Sequence, residues 1–146
     1  MKFVKVLFAW FAASVVTGAT GSIIQTQYNL AAIAGIGAPS SPAVRFQTTL
    51  QDLVGFAPAF AIIAAGGFLV AFPVAAWLGR SRRRRRTMLY AAAGAAAIAT
   101  ALLVMNALLP VIGVGATRWT SGVVALSAAG ALGGLVFARL ARPASA

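Results

Sequence analysis

The chain contains no cysteine, no histidine and no glutamate, and its single acidic residue is Asp52. Each absence removes a class of chemistry. Without thiols and imidazoles there is no disulfide, no zinc site of the usual donors and no histidine-ligated haem. A serine nucleophile would have no imidazole base beside it. One carboxylate cannot form the pair that glycoside hydrolysis or two-metal phosphoryl chemistry requires. No acid lies within an apolar segment, so a carboxylate proton relay across a bilayer lacks its parts. The expectation is a protein that is not an enzyme and that holds no cofactor and no metal.

Charge of either sign is also scarce. Charged residues make up 9% of the 146 and hydrophobic ones 61%, with a mean hydropathy of +0.92. A soluble domain carries roughly 25% charged residues. So few charges cannot cover a water-facing surface, and lipid is the expected solvent. Heavy use of Ala, Gly and Arg fits a bacterium with a GC-rich genome, which makes the inner membrane the expected location.

Long apolar runs are what the chain does have. A spanning helix needs about 20 mainly apolar residues. Four segments meet or approach this, at about residues 4–24, 53–78, 88–109 and 119–140. The fold class expected is all-α: a polytopic membrane protein built as a four-transmembrane-helix bundle, one membrane domain over 1–146. The tail, 141–146, is too short and polar to pack.

Against this background the run "GRSRRRRRTM" is legible. It holds Arg80, Arg82, Arg83, Arg84, Arg85 and Arg86 between the second and third segments. Lys2 and Lys5 precede the first segment, and Arg139 and Arg142 end the fourth. All ten fall on one side of a four-span weave, and only Arg45 and Arg118 fall on the other. Cationic residues gather on the cytoplasmic side, so both termini are expected in the cytoplasm. The arginines are read as a topology determinant and a contact for anionic lipid headgroups. A short loop tied to two membrane helices is a poor reader of grooves, and no nucleic-acid partner is expected.

The first segment also resembles a secretory signal, with a basic start, an apolar run and small residues at Ala19 and Gly21. Retention is favoured, because apolar character resumes at Ile23 and Ile24.

The connection at 25–52 is too long for a tight loop and too apolar for a free one. Tyr28, Leu30, Ile33 and Ile36 recur at near-helical spacing, as do Phe46, Leu50 and Leu53. Gly35, Gly37, Pro39 and Pro42 interrupt them. Two short helices lying in the outer interface are expected, with their apolar faces at the headgroup boundary. Thr49 and Asp52 resemble a capping box at the start of the second span. A pairing of Asp52 with Arg45, seven positions earlier, is the alternative. Pro58 and Pro73 fall within the second span and should bend it, and the carbonyls they free could line a polar cavity.

Small residues mark helix contacts, since in lipid close packing holds helices together. Ser14 and Gly18 in the first segment, Gly66 and Gly67 in the second, and Gly130 and Gly134 in the fourth are the expected seams. They serve either packing within one bundle or, most plausibly at the fourth segment, an oligomer or partner contact. On the outer side Gln25, Gln27, Tyr28, Asn29, Gln47, Gln51 and Asp52, joined by Asn106, are candidate ligand-binding residues through neutral hydrogen bonds. Tyr28 and Trp119 outside, and Tyr90 inside, fit as interfacial aromatics.

Helix number is architecture and assigns no activity. The shortage of reactive residues beside abundant small-residue seams favours an accessory or assembly subunit of a membrane complex. The alternatives are a small oligomeric transporter or channel for a neutral or amphipathic solute and, more weakly, a lipid- or quinone-binding protein.

Overall fold

The structure is a computed structural model and describes residues 2–38, 41–80, 85–109 and 113–141. Five α-helices and one short 3₁₀ helix account for the order of elements: α1 (Lys2–Gly35), α2 (Pro42–Gly55), α3 (Ala57–Gly79), α4 (Arg86–Leu108), the 3₁₀ helix (Gly115–Arg118) and α5 (Thr120–Leu140). No strand occurs among the described residues. Four helices, α1, α3, α4 and α5, are long and apolar enough to cross a membrane.

α1 departs from expectation. It is one continuous helix of 34 residues, about 51 Å long at 1.5 Å per residue, against a hydrocarbon layer of about 30 Å. The first of the two expected interfacial helices is therefore the C-terminal end of α1. Nothing between Ser22 and Gly35 breaks a helix; the polar residues there lower the hydropathy without disturbing the backbone. The helix stops where the backbone demands it. Gly37 has φ of 91°, a left-handed conformation that glycine adopts at no steric cost. Ala38 N–H donates to the Ile33 carbonyl and Gly37 N–H to that of Ala34, a Schellman closure.

α2 is the second expected short helix. Ser41 caps it, accepting from Val44 N–H at 3.3 Å, and Pro42 occupies the first turn, where its missing N–H costs nothing. Turns of about 100° per residue give this helix three faces. Arg45, Thr49 and Asp52 face α1 and are half-buried. Phe46, Leu50 and Val54 form an exposed apolar edge. Gln47 and Gln51 form an exposed polar one. A helix with a protein side, an apolar side and a polar side suits a bilayer surface.

Pro58 separates α2 from α3. It lies in the first turn of α3 and so does not bend that helix from within. It has no N–H for the Val54 carbonyl, so the α2 ladder ends there and the chain turns at Phe56. Pro73 does lie inside α3.

Small residues set the bundle's closest approaches. A Cβ on Gly94 of α4 would strike the Gly130 carbonyl of α5, and one on Gly134 would strike the Tyr90 carbonyl. One on Gly18 of α1 would lie 2.7 Å from the Ala57 carbonyl oxygen and from the Ala61 side chain of α3. Gly67 of α3 meets Ala97 of α4. Trp10 Nε1 donates to the Ala65 carbonyl at 3.2 Å, tying α1 to α3. Phe60, Phe68, Ile98, Leu102 and Leu126 fill the core between these contacts.

Candidate functional site

The C-terminal part of α1 carries five consecutive residues, Gln25 to Asn29, that turn toward different neighbours. Gln25 Oε1 accepts from the buried Ala116 N–H at 2.9 Å. Asn29 is one turn on, and its Oδ1 lies against Gly115, where a Cβ would displace it. Both residues thus hold the 3₁₀ helix that joins α4 to α5. Thr26 and Gln27 point instead at α2. Thr26 Oγ1 lies 2.6 Å from Asp52 Oδ2. Gln27 accepts from Arg45 Nη1 at 3.1 Å and donates to Thr49 Oγ1 at 3.4 Å. Tyr28 packs against Trp119, ring centroids 5.9 Å apart.

These contacts correct three expectations. Asp52 is not a capping residue: it lies in the last turn of α2, and Thr49 Oγ1 donates to the Arg45 carbonyl within the same helix. Arg45 engages Gln27, and Asp52 engages Thr26, so neither is the other's hydrogen-bond partner. Asn106 does not join the cluster; its Oδ1 accepts from Thr117 Oγ1 at 3.2 Å. Gln47 and Gln51 stand apart, exposed on the polar edge of α2. Of the expected ligand-binding residues, Gln25, Gln27, Asp52 and Asn106 are engaged in hydrogen bonds inside the chain.

Thr26 was not singled out from the sequence and is the pivot of this end. It is fully buried, and its one hydroxyl proton faces two acceptors, the Asp52 carboxylate at 2.6 Å and the Ser22 carbonyl at 2.9 Å. The signal that could have found it is its place one helical turn after Ser22. Ser22 is itself fully buried, and its hydroxyl has no hydrogen-bond partner.

The expected seams divide. Gly18, Gly67, Gly130 and Gly134 pack within the chain, so the small-residue pattern of α5 is filled by α4. The α4 partner, Gly94, lies in an alanine-rich stretch and is not among the expected seams. Ser14 is buried and donates to the Trp10 carbonyl of its own helix. Gly66 differs: a Cβ there would meet open space.

Three grooves flank α1; one, of about 780 Å³, lies at its C-terminal end between Tyr28, Ile36 and Trp119, and two lie nearer its start. The first, of about 610 Å³, runs between α1 and α3, with Ser14, Ala57, Ala61 and Ala65 among its lining and Phe11 and Ile62 at its edges. The second, of about 470 Å³, opens at the arginine-bearing end between α1, α3, α4 and α5. Pro73 lines it, and its surroundings are apolar, not the polar cavity the prolines suggested. Tyr90 is not an interfacial aromatic. It is 3% exposed, packed edge-on to Phe72 and against Phe137. The Arg86 guanidinium lies 5.5 Å from its ring centroid, within cation–π range. Arg80 and Arg85 are exposed; Arg82, Arg83 and Arg84 lie outside the described residues.

Comparison with known proteins brings no relative: no family model, no curated protein and no solved structure matches this chain.

Proposed function

We propose that the chain is a multi-pass protein of the bacterial inner membrane, with both termini in the cytoplasm, that serves as a non-enzymatic accessory or assembly subunit of a membrane complex. It contributes surface, not chemistry. The observation that carries this reading is the lateral groove between α1 and α3. It is open, about 610 Å³, and lined by Ser14, Ala57, Ala61 and Ala65 between larger apolar edges. Small residues that let backbones approach closely are what a partner helix needs in lipid. Gly66, with open space beside it, extends the same accessible side of α3.

A solute pathway finds less support. Gln25, Gln27, Asp52 and Asn106 are engaged in hydrogen bonds inside the chain, and the three grooves flanking α1 have mainly apolar linings.

The test is purification of the tagged full chain in mild detergent beside its Val15→Trp variant. Val15 is an exposed residue of the groove lining, so the indole fills the groove without pressing on the core. The expected result is a membrane protein recovered at fixed stoichiometry with the parent chain and lost with the variant. A chain recovered without a partner, and carrying solute flux when reconstituted alone, would overturn the reading.

A further inference from the structure

The groove at the arginine-bearing end has a definite polarity along its length. Its shallow end is formed where α1 and α4 begin and α5 ends, by Phe3, Arg86 and Ala141. From there it runs inward to Trp10 and Phe68. Phe68 to Ala76 along α3 is about 12 Å of helix. Among the described residues Arg86 is the only charged one in the lining, and it sits at the shallow end. The volume, about 470 Å³, falls within the roughly 300–1,000 Å³ of sites that hold a small organic ligand.

Charge complementarity identifies the occupant. Arg80, Arg85, Arg86 and Arg139 stand at this end of the bundle, and Arg82, Arg83 and Arg84 fall between Arg80 and Arg85 in the sequence. The chain's one acid, Asp52, is at the opposite end, bonded to Thr26. No acidic side chain of the protein is therefore at hand to serve as the counter-anion here. Arg86 is held over the Tyr90 ring, and Tyr90, itself almost wholly buried, lines the groove. A cation and a tyrosine hydroxyl thus stand beside an apolar channel that runs into the bundle.

The geometry points to a site for one anionic phospholipid: its phosphate at Arg86, within reach of Tyr90, and an acyl chain along Phe72, Leu69 and Phe68 toward Trp10. This site is separate from the α1–α3 groove and stands whether or not a protein partner occupies that one.

The experiment measures thermal unfolding of the delipidated full chain in a neutral detergent, titrated with dioleoyl phosphatidylglycerol, dioleoyl phosphatidylcholine or inorganic phosphate. Native mass spectrometry counts the bound lipid. Phosphatidylglycerol should raise the unfolding temperature by several degrees with one molecule retained, and the other two additives should not. Arg86→Gln should weaken the response about fivefold or more, the worth of one basic residue at an anionic surface. Ala76→Trp, which fills the groove from an exposed wall position, should abolish it; Leu69→Trp replaces that variant if circular dichroism shows it unfolded. Equal responses to the two lipids, a full response to phosphate alone, or a groove-filled variant that still responds to phosphatidylglycerol would each overturn the site.

Discussion

Gly94 of α4 and Gly130 of α5 lie backbone against backbone, each occupying the space where the other's Cβ would stand. Neither carbonyl can withdraw without moving its helix, so a methyl group at either position has to separate α4 from α5. Gly94→Ala and Gly130→Ala should each destabilise the bundle by about 1–3 kcal/mol, the usual cost of overpacking. Gly66→Ala, where the same methyl meets open space, should stay within about 0.5 kcal/mol of the parent. Thermal unfolding in detergent compares the three, and equal losses at all of them would remove the α4–α5 contact as the explanation.

Removing the Thr26 hydroxyl leaves the Asp52 carboxylate without its partner on α1. Thr26→Val preserves shape and should cost about 1.5–3 kcal/mol, the range for a hydrogen bond to a charged group. Asp52→Asn keeps an acceptor oxygen for Thr26 and should cost less. Limited proteolysis between α1 and α2 checks the order: the valine variant should be cut faster than the asparagine variant.

Gln25→Ala removes the acceptor of the buried Ala116 N–H. An orphaned buried donor costs about 1–3 kcal/mol, a factor of roughly 5–150 in local opening. Amide exchange over residues 113–119 should accelerate by that order, while exchange at Ile98 and Leu102 in the α4 core should not change. Acceleration spread evenly over the whole chain would mean that Gln25 supports the bundle at large and not this connection.

Absence of cysteine makes sidedness measurable on a clean background. Gln47→Cys and Ser121→Cys, both at exposed positions of the end opposite the arginines, should react with a membrane-impermeant maleimide on intact cells. Ser81→Cys, within the arginine run, should react only after permeabilisation. The reverse pattern would invert the topology.

Four apolar segments and an all-helical fold were legible because hydropathy reports the medium a helix is suited to. Helix boundaries were not, because hydropathy says little about the backbone. Gln25 to Asn29 read as a connection, yet the side chains are polar for what they grip on α2 and the 3₁₀ helix, and the helix runs through them to Gly37. Thr49 and Asp52 had the spacing of a cap, but the interruption falls at Pro58, later than the polarity change suggested. Gly130 and Gly134 announced a close contact. That Gly94 fills it could not be read, since one glycine in an alanine-rich helix has no pattern of its own.

The length of α1 has a mechanical consequence. One rigid rod lines the groove at the arginine-bearing end with Phe3 to Trp10 and grips α2 and the 3₁₀ helix with Gln25 to Asn29, and it bears on α3 in between, at Gly18. Rocking about that fulcrum swings the two tips in opposite senses, so whatever wedges into one end levers the other.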